Sequence, residues 1–287
     1  MTGDLHIHMI LDGIYFRDAI AAHRNAPVHE LILPCLEDYA GRGIRFLRDG
    51  GDAWGVSLRA RELAAPYGID YRSPAFPIFK KGHYGAFIGR GFSDFAEYLD
   101  LLDEVEKQKG DFVKLMISGL VDFSAENRLT EEGLEEKEII RLITAAHERG
   151  FAVMVHANGD RAVHAALKAG AESVEHGAFL GEETLKRLAD SSCLWVPTLS
   201  TVGNLIGSGR YPDKVLEKLL REQQEKVAFV AAQGGMVGLG SDAGAYLVSH
   251  KHAVEDEFSY LQAVLREDTE QILQSAQKFV QGTFQRK

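Results

Sequence analysis

Short apolar runs alternate with amphipathic, charged segments along the whole chain, and this alternation restricts the fold more than any other feature. The candidate strands are residues 4–8, 44–48, 71–78, 112–118, 152–156, 173–175, 194–198 and 236–240. Helical patterns lie between them at 28–39, 54–67, 94–107, 131–148, 161–168, 182–189, 213–232 and 253–266, with a further one at 268–280. Apolar residues recur there at helical spacing, as in Ile139, Ile140, Leu142 and Ile143. Thr130 followed by Glu131 and Glu132 predicts a helix start, and Gly150 ends that helix just before the strand that opens at Phe151. Gly110 and Gly170 close their helices in the same way. Strands alternating with helices through short turns predict parallel βαβ units. Eight such units predict an α/β fold, the closed (β/α)8 TIM barrel, with an open doubly wound sheet as the competing arrangement. The length of 287 residues suits one barrel with its loops, so residues 1–287 read as a single domain with an extra C-terminal helix.

Composition removes options without selecting one. A formal net charge of −10 disfavours nucleic acid or an anionic membrane as partner, since binding phosphates draws on clustered Lys and Arg. The acidic run at 131–138 reads as solvated helix surface. Cys35 and Cys193 are the only cysteines, which points to a reducing, cytoplasmic setting. His6 and Asp12 interrupt the amino terminus before the apolar region of a signal peptide could form. No apolar stretch approaches the roughly 20 residues of a membrane span.

Metal-type ligands stand at the ends of separate candidate strands. His6 and His8 lie two apart, so both side chains point to one face while Leu5 and Ile7 face the helices. His156 ends one strand, His176 follows another, and Asp242 follows the run that begins at Met236. Lys114 interrupts an otherwise apolar strand. Singly, each has an ordinary explanation: a hydrogen-bonded structural histidine, or a lysine paired with a buried carboxylate such as Asp242. Jointly, four His, one Lys and one Asp at the carboxyl ends of five strands would converge on one barrel mouth.

The segments that carry these residues resemble the amidohydrolase superfamily. They are Asp4-Leu-His6-Ile-His8, Val113-Lys114-Leu-Met-Ile-Ser-Gly119, Val155-His156-Ala-Asn-Gly-Asp160, Ser173-Val-Glu-His176-Gly177 and Gly240-Ser-Asp242-Ala-Gly244. The likeness is greatest to the imidazolonepropionase-like and prolidase-like branch, and it runs in order from residue 4 to about residue 270. The resemblance implies that His6 and His8 hold the more buried metal and that His156 and His176 hold a second. It implies that Lys114 is carboxylated and bridges the two, and that Asp242 touches metal and moves protons. Two divalent cations, zinc or else manganese or iron, are the implied cofactors, and neutral imidazole and carboxylate suit such ions. Burial would favour the neutral lysine from which a carbamate forms. Two features depart from the family: the Pro-Gly approach to the first strand is missing, and too little chain flanks residues 4–280 for the usual accessory β-sandwich.

The implied reaction is hydrolysis of an amide, peptide or cyclic amide by a metal-bound hydroxide, with Asp242 as proton shuttle and His176 beside it in the catalytic set. A mononuclear deaminase or lactonase-type hydrolase is the alternative, with His6, His8, His156 and Asp242 on one metal and His176 polarising the substrate. A catalytically silent ligand-binding barrel is a third reading. Two long loops, 9–27 and 79–93, supply substrate-binding candidates in Tyr15, Arg17, His83, Tyr84 and Arg90. Lys80 and Arg90 would pair with the carboxylate of a dipeptide or N-acyl amino acid. His250 and His252 read as rim residues, and a homodimer is the general expectation for assembly.

Overall fold

The computed structural model describes residues 3–286. In chain order, β1 (Gly3–Ile7) leads to α1 (Phe16–Ala22) and α2 (His29–Gly41), then to β2 (Phe46–Asp49) and α3 (Val56–Ala64). Next come β3 (Asp70–Arg72), β4 (Pro77–Lys80), β5 (Arg90–Phe92) and α4 (Phe95–Lys107). The central part alternates regularly: β6 (Val113–Met116), α5 (Glu136–Glu148), β7 (Val153–Ala157), α6 (Asp160–Ala169), β8 (Ser173–His176), α7 (Glu182–Asp190) and β9 (Leu194–Val196). The rest is helical: α8 (Ser200–Gly203), α9 (Asp213–Ala232), α10 (Ala253–Leu265) and α11 (Thr269–Thr283). Among the described residues no helix is long and apolar enough to cross a membrane.

The fold is α/β, and every strand pair is parallel. Pairing sorts the strands into two sheets, one ordered β1-β2-β3 and the other β5-β4-β6-β7-β8-β9. Single links join them. Asp111 N donates to Ser73 O (2.8 Å) between β3 and β6. On the other side, Trp195 bridges Val237, Leu5 N donates to Leu239 O (2.9 Å), and Ile7 bridges Ala243.

Several expectations need correction, and the loops expected at 9–27 and 79–93 contain α1 and β5. The strand expected at 71–78 is two pieces, β3 and β4, because Ala75 takes a positive φ of 69° after Pro74. The helix expected from residue 131 starts at Glu136. Thr130 is held instead by Leu120, whose carbonyl accepts from Thr130 N and whose N–H donates to Thr130 Oγ1. The run at 236–240 makes bridges and single hydrogen bonds rather than a full strand.

The helices form for the reasons the spacing suggests. In α5, Ile139, Leu142, Ile143 and Ala146 are buried along one face. Asp94 caps α4 by accepting from Glu97 N (3.0 Å). Gly170 ends α6 in the left-handed conformation that only glycine adopts without cost.

Residues two apart on a strand share a face, and this face changes character along the strands. Towards the amino ends, Phe46, Phe112, Met154 and Leu194 pack with Phe284, the residue that follows α11. Two positions further on stand Arg48, Lys114 and His156, all buried. Burying one such phenyl ring contributes on the order of 1.5–3 kcal/mol. The apolar layer is thus the floor on which the ionisable layer rests.

Candidate metal centre

His6, His8 and Asp242 offer ligand atoms that all lie within 4.8 Å of one another. The Asp242 carboxylate is the hub, with Oδ1 3.6 Å from His6 Nε2 and 3.4 Å from His8 Nε2. Backbone pairing brings it there. Asp242 N donates to His6 O (2.7 Å), and His8 N donates to Ala243 O (2.8 Å). Asp4, two residues before His6, fixes the neighbouring turn, accepting from Ser241 N (2.9 Å) and Ser241 Oγ (2.5 Å). Close packing completes the pair: a Cβ on Gly50 would stand 2.3 Å from His8 Cε1, and one on Gly240 would stand 2.8 Å from His6 Cβ.

The other expected ligands adjoin this group. The His176 ring lies 5.2 Å from that of His6 and 4.6 Å from that of His156, centroid to centroid. Lys114 is buried on β6, and its Nζ has no hydrogen-bond partner. Three non-glycine residues here have positive φ: His176 (70°), Thr198 (50°) and Asp242 (60°). Such geometry costs of order 1–3 kcal/mol per residue and persists where its surroundings over-determine it. At His176 they do: the carbonyl accepts from Trp195 Nε1 (3.0 Å) and Gln223 Nε2 (3.1 Å), and Nδ1 lies 2.7 Å from Thr198 Oγ1.

Burial governs the electrostatics. It pushes His8 and His156 down to about 3, and His6 and His176 well below the usual imidazole value, with Lys114 or the neighbouring imidazoles adding to the effect. All four rings are therefore neutral at physiological pH, the form that donates a lone pair to a cation. Burial also lowers the pKa of Lys114, against the pull of the Glu175 carboxylate, and raises that of Asp242, against the pull of Lys114. Both shifts favour neutral forms, as low dielectric requires.

These residues fit a divalent cation. Both ring nitrogens of His6, Nδ1 of His8, Nζ of Lys114 and Oε2 of Glu175 are buried without a hydrogen bond. Buried polar atoms left unpaired are costly, and a cluster of them calls for a partner that coordinates them. Neutral nitrogen donors with a carboxylate form a donor set suited to zinc and similar ions.

The expected substrate contacts separate into two kinds. Tyr84 lies against the site, its ring 4.9 Å from that of His156, and burial together with the Asp242 charge raises its hydroxyl pKa. Phe87 and then Phe16 extend this wall outward, each ring 5.6 Å from the last. Tyr15 and Arg17 are exposed at the start of α1, with Arg17 over the Phe16 ring. The cations proposed for a substrate carboxylate already have partners: Arg90 pairs with Glu104, and Lys80 pairs with Glu138 at 2.7 Å. His83 Nδ1 lies 3.7 Å from Glu131 Oε1. His250 is a buried brace between Tyr39 OH and Leu11 O (3.0 Å each), not a rim residue; His252 is exposed.

Several site residues escaped the sequence reading. Glu175 Oε2 lies 2.9 Å from His6 Nδ1, off the line of an ideal hydrogen bond, and Glu175 Oε1 pairs with Arg48 at 2.9 Å. Asn158 ties three loops together through Ser118, Gly119 and Ala178. The available signal was a charged or amide residue inside an apolar run, the same signal that Lys114 gave.

No protein-family model matches the chain. An uncharacterized protein of Mycobacterium tuberculosis is 30% identical over 128 residues, a match that takes in 42% of this chain and 34% of that protein. Ochratoxinase of Aspergillus niger is 24% identical over 257 residues, 79% of this chain and 52% of the ochratoxinase. The matches thus span only about a third to a half of these relatives' length. Among solved structures, an Xaa-Pro dipeptidase with methionine bound in its active site aligns with a TM-score of 0.75 at 20% identity, over 98% of this chain and 75% of that one. An amidohydrolase aligns with a TM-score of 0.76 at 20% identity, over 98% and 74%. The fold is therefore shared with prolidase- and amidohydrolase-like proteins, in keeping with the resemblance in the sequence.

Proposed function

We propose that this chain, folded like the amidohydrolases, is a metal-dependent hydrolase of carbon–nitrogen bonds in small amides or dipeptides. One observation carries the reading: His6, His8 and Asp242 converge within 4.8 Å beside an unpaired, buried Lys114 amine. The activities named for the relatives, an ochratoxinase and an Xaa-Pro dipeptidase, support amide or dipeptide substrates. The proposal includes closure of the two sheets into one (β/α)8 barrel, a single domain whose site sits at the carboxyl ends of the strands. The links Ser73–Asp111, Trp195–Val237 and Leu5–Leu239 support that closure.

In this reading His6, His8 and Asp242 would hold one cation, His156 and His176 would hold a second, and a carboxylated Lys114 would serve both. A cation bound there polarises a carbonyl and acidifies water. The protein's own groups do the rest. Asp242 takes a proton from the attacking water and returns it to the leaving nitrogen; burial raises its pKa, which suits a carboxylate that must hold and then release a proton near neutrality. Neutral Lys114 adds carbon dioxide at Nζ, forming a carbamate N–C bond and releasing a proton to solvent. Tyr84 and Phe87 line the approach and exclude water from one side.

A mononuclear centre on His6, His8, His156 and Asp242 is the second reading, supported by the close grouping of three of those four residues without His176. Metal content decides between them. Protein purified without an affinity tag and supplied with zinc and bicarbonate should carry about two metals per chain, and about one in the mononuclear case. Hydrolysis is read on a panel of N-acyl amino acids, Xaa-Pro dipeptides, cyclic amides and lactones. Uniform inactivity of fully loaded protein would refute the hydrolase assignment.

A further inference from the structure

We propose that Glu175, anchored by Arg48, is a positioning residue that fixes the ring tautomer of His6 and thereby sets metal affinity. The inference rests on the metal-site reading above.

Glu175 and Arg48 have no exposed surface. One carboxylate oxygen of Glu175 is fully engaged: Oε1 accepts from Arg48 Nη2 (2.9 Å) and from Ser173 Oγ (2.6 Å). Arg48 is itself immobilised. Its Nε donates to Leu5 O (2.6 Å), its Nη1 donates to Ser173 Oγ (2.8 Å), and its guanidinium lies 4.5 Å from the centre of the Phe284 ring. The other oxygen, Oε2, makes none of these contacts and faces His6 Nδ1 at 2.9 Å.

A neutral imidazole carries one N–H, and the group that accepts from it selects the tautomer. A carboxylate at Nδ1 keeps the proton there. That leaves the lone pair on Nε2, the nitrogen that lies 3.6 Å from Asp242 Oδ1. Stability by itself is a weak reason to bury an Arg–Glu pair, because desolvation can outweigh the attraction. A free carboxylate oxygen aimed at a ligand imidazole gives the pair a chemical use.

The test combines zinc affinity, measured by competition with a chromophoric chelator, with ring 15N spectra of metal-free protein. Glu175→Gln keeps shape and loses charge; the double variant Arg48→Met/Glu175→Gln leaves no buried charge unpaired. Both are expected to unfold cooperatively on heating yet to bind zinc roughly 10- to 100-fold more weakly than wild type, the usual penalty for losing such support. Metal-free wild type should show His6 as the Nδ1–H tautomer. Folded variants with wild-type zinc affinity would overturn the inference alone, as would an Nε2–H tautomer in wild type. A wild-type chain that takes up no zinc would overturn the metal-site reading and this inference with it. If neither variant folds, the wild-type tautomer decides.

Discussion

Glu257 carries a pH dependence that can be worked out in advance. It projects from α10 with no exposed surface and accepts from Leu199 N (3.0 Å), Ser200 N (2.7 Å) and Ser200 Oγ (2.7 Å). Burial raises its pKa from 4.5 to about 7, against the opposing pull of those hydrogen bonds. The folded chain therefore binds a proton that the unfolded chain releases. Acidification then favours folding: the contribution is complete below the unfolded pKa and is lost as pH rises through about 7. Between pH 7.5 and 5.5 the gain is about 2 kcal/mol. Glu257→Gln cannot titrate and should lack this gain. Urea unfolding of both proteins, metal-free, at the two pH values measures the difference. Every other titrating group is common to both proteins and cancels. Wild type should gain about 2 kcal/mol on the variant at the lower pH. Parallel behaviour of the two proteins would refute the claim that burial dominates at this carboxyl. The site is linked to this clamp, because Leu199 and Ser200 directly follow Thr198, whose hydroxyl meets His176 Nδ1 at 2.7 Å.

Two further predictions concern the proposed metal ligands. Gly50→Ala places a methyl group 2.3 Å from His8 Cε1, so it should weaken zinc binding by at least about tenfold through displacement of the ring; calorimetric titration showing unchanged affinity would mean that the ring yields freely. Asp242→Asn keeps a residue type that tolerates the positive φ there, so it should stay folded and lower kcat by about two to four orders of magnitude. Near-normal steady-state turnover on any substrate of the wild-type chain would remove Asp242 from the proposed proton-transfer role.

Much of this was legible in the sequence because the signals are local. The His-x-His pair states its own geometry, since residues two apart on a strand share a face. Lys114 in an apolar run announces a buried amine, and the structure places it there. Glu136–Glu148 follows helical periodicity closely, and only its start differs from the expectation. What pattern misses depends on distant partners or on single backbone angles. Pattern does not reveal that Ala75 turns to φ 69° and divides a strand. Nor does it reveal that Arg90, in a loop suited to substrate, is paired with Glu104.

The sequence by itself determined the alternating α/β plan and the residue types able to hold a cation, because periodicity and side-chain chemistry are properties of short segments. Only the tertiary structure decided which of them meet. Asp242 reaches His6 and His8 because backbone pairing joins residues more than 230 positions apart. Arg48 and Glu175 read as unremarkable charges in two apolar runs until β2 and β8 bring them within 2.9 Å, beneath His6. Burial then changes their chemistry: water no longer competes, and the carboxylate oxygen of Glu175 that makes no hydrogen bond faces the His6 imidazole at 2.9 Å. That consequence belongs to the packed core and to no segment of the chain.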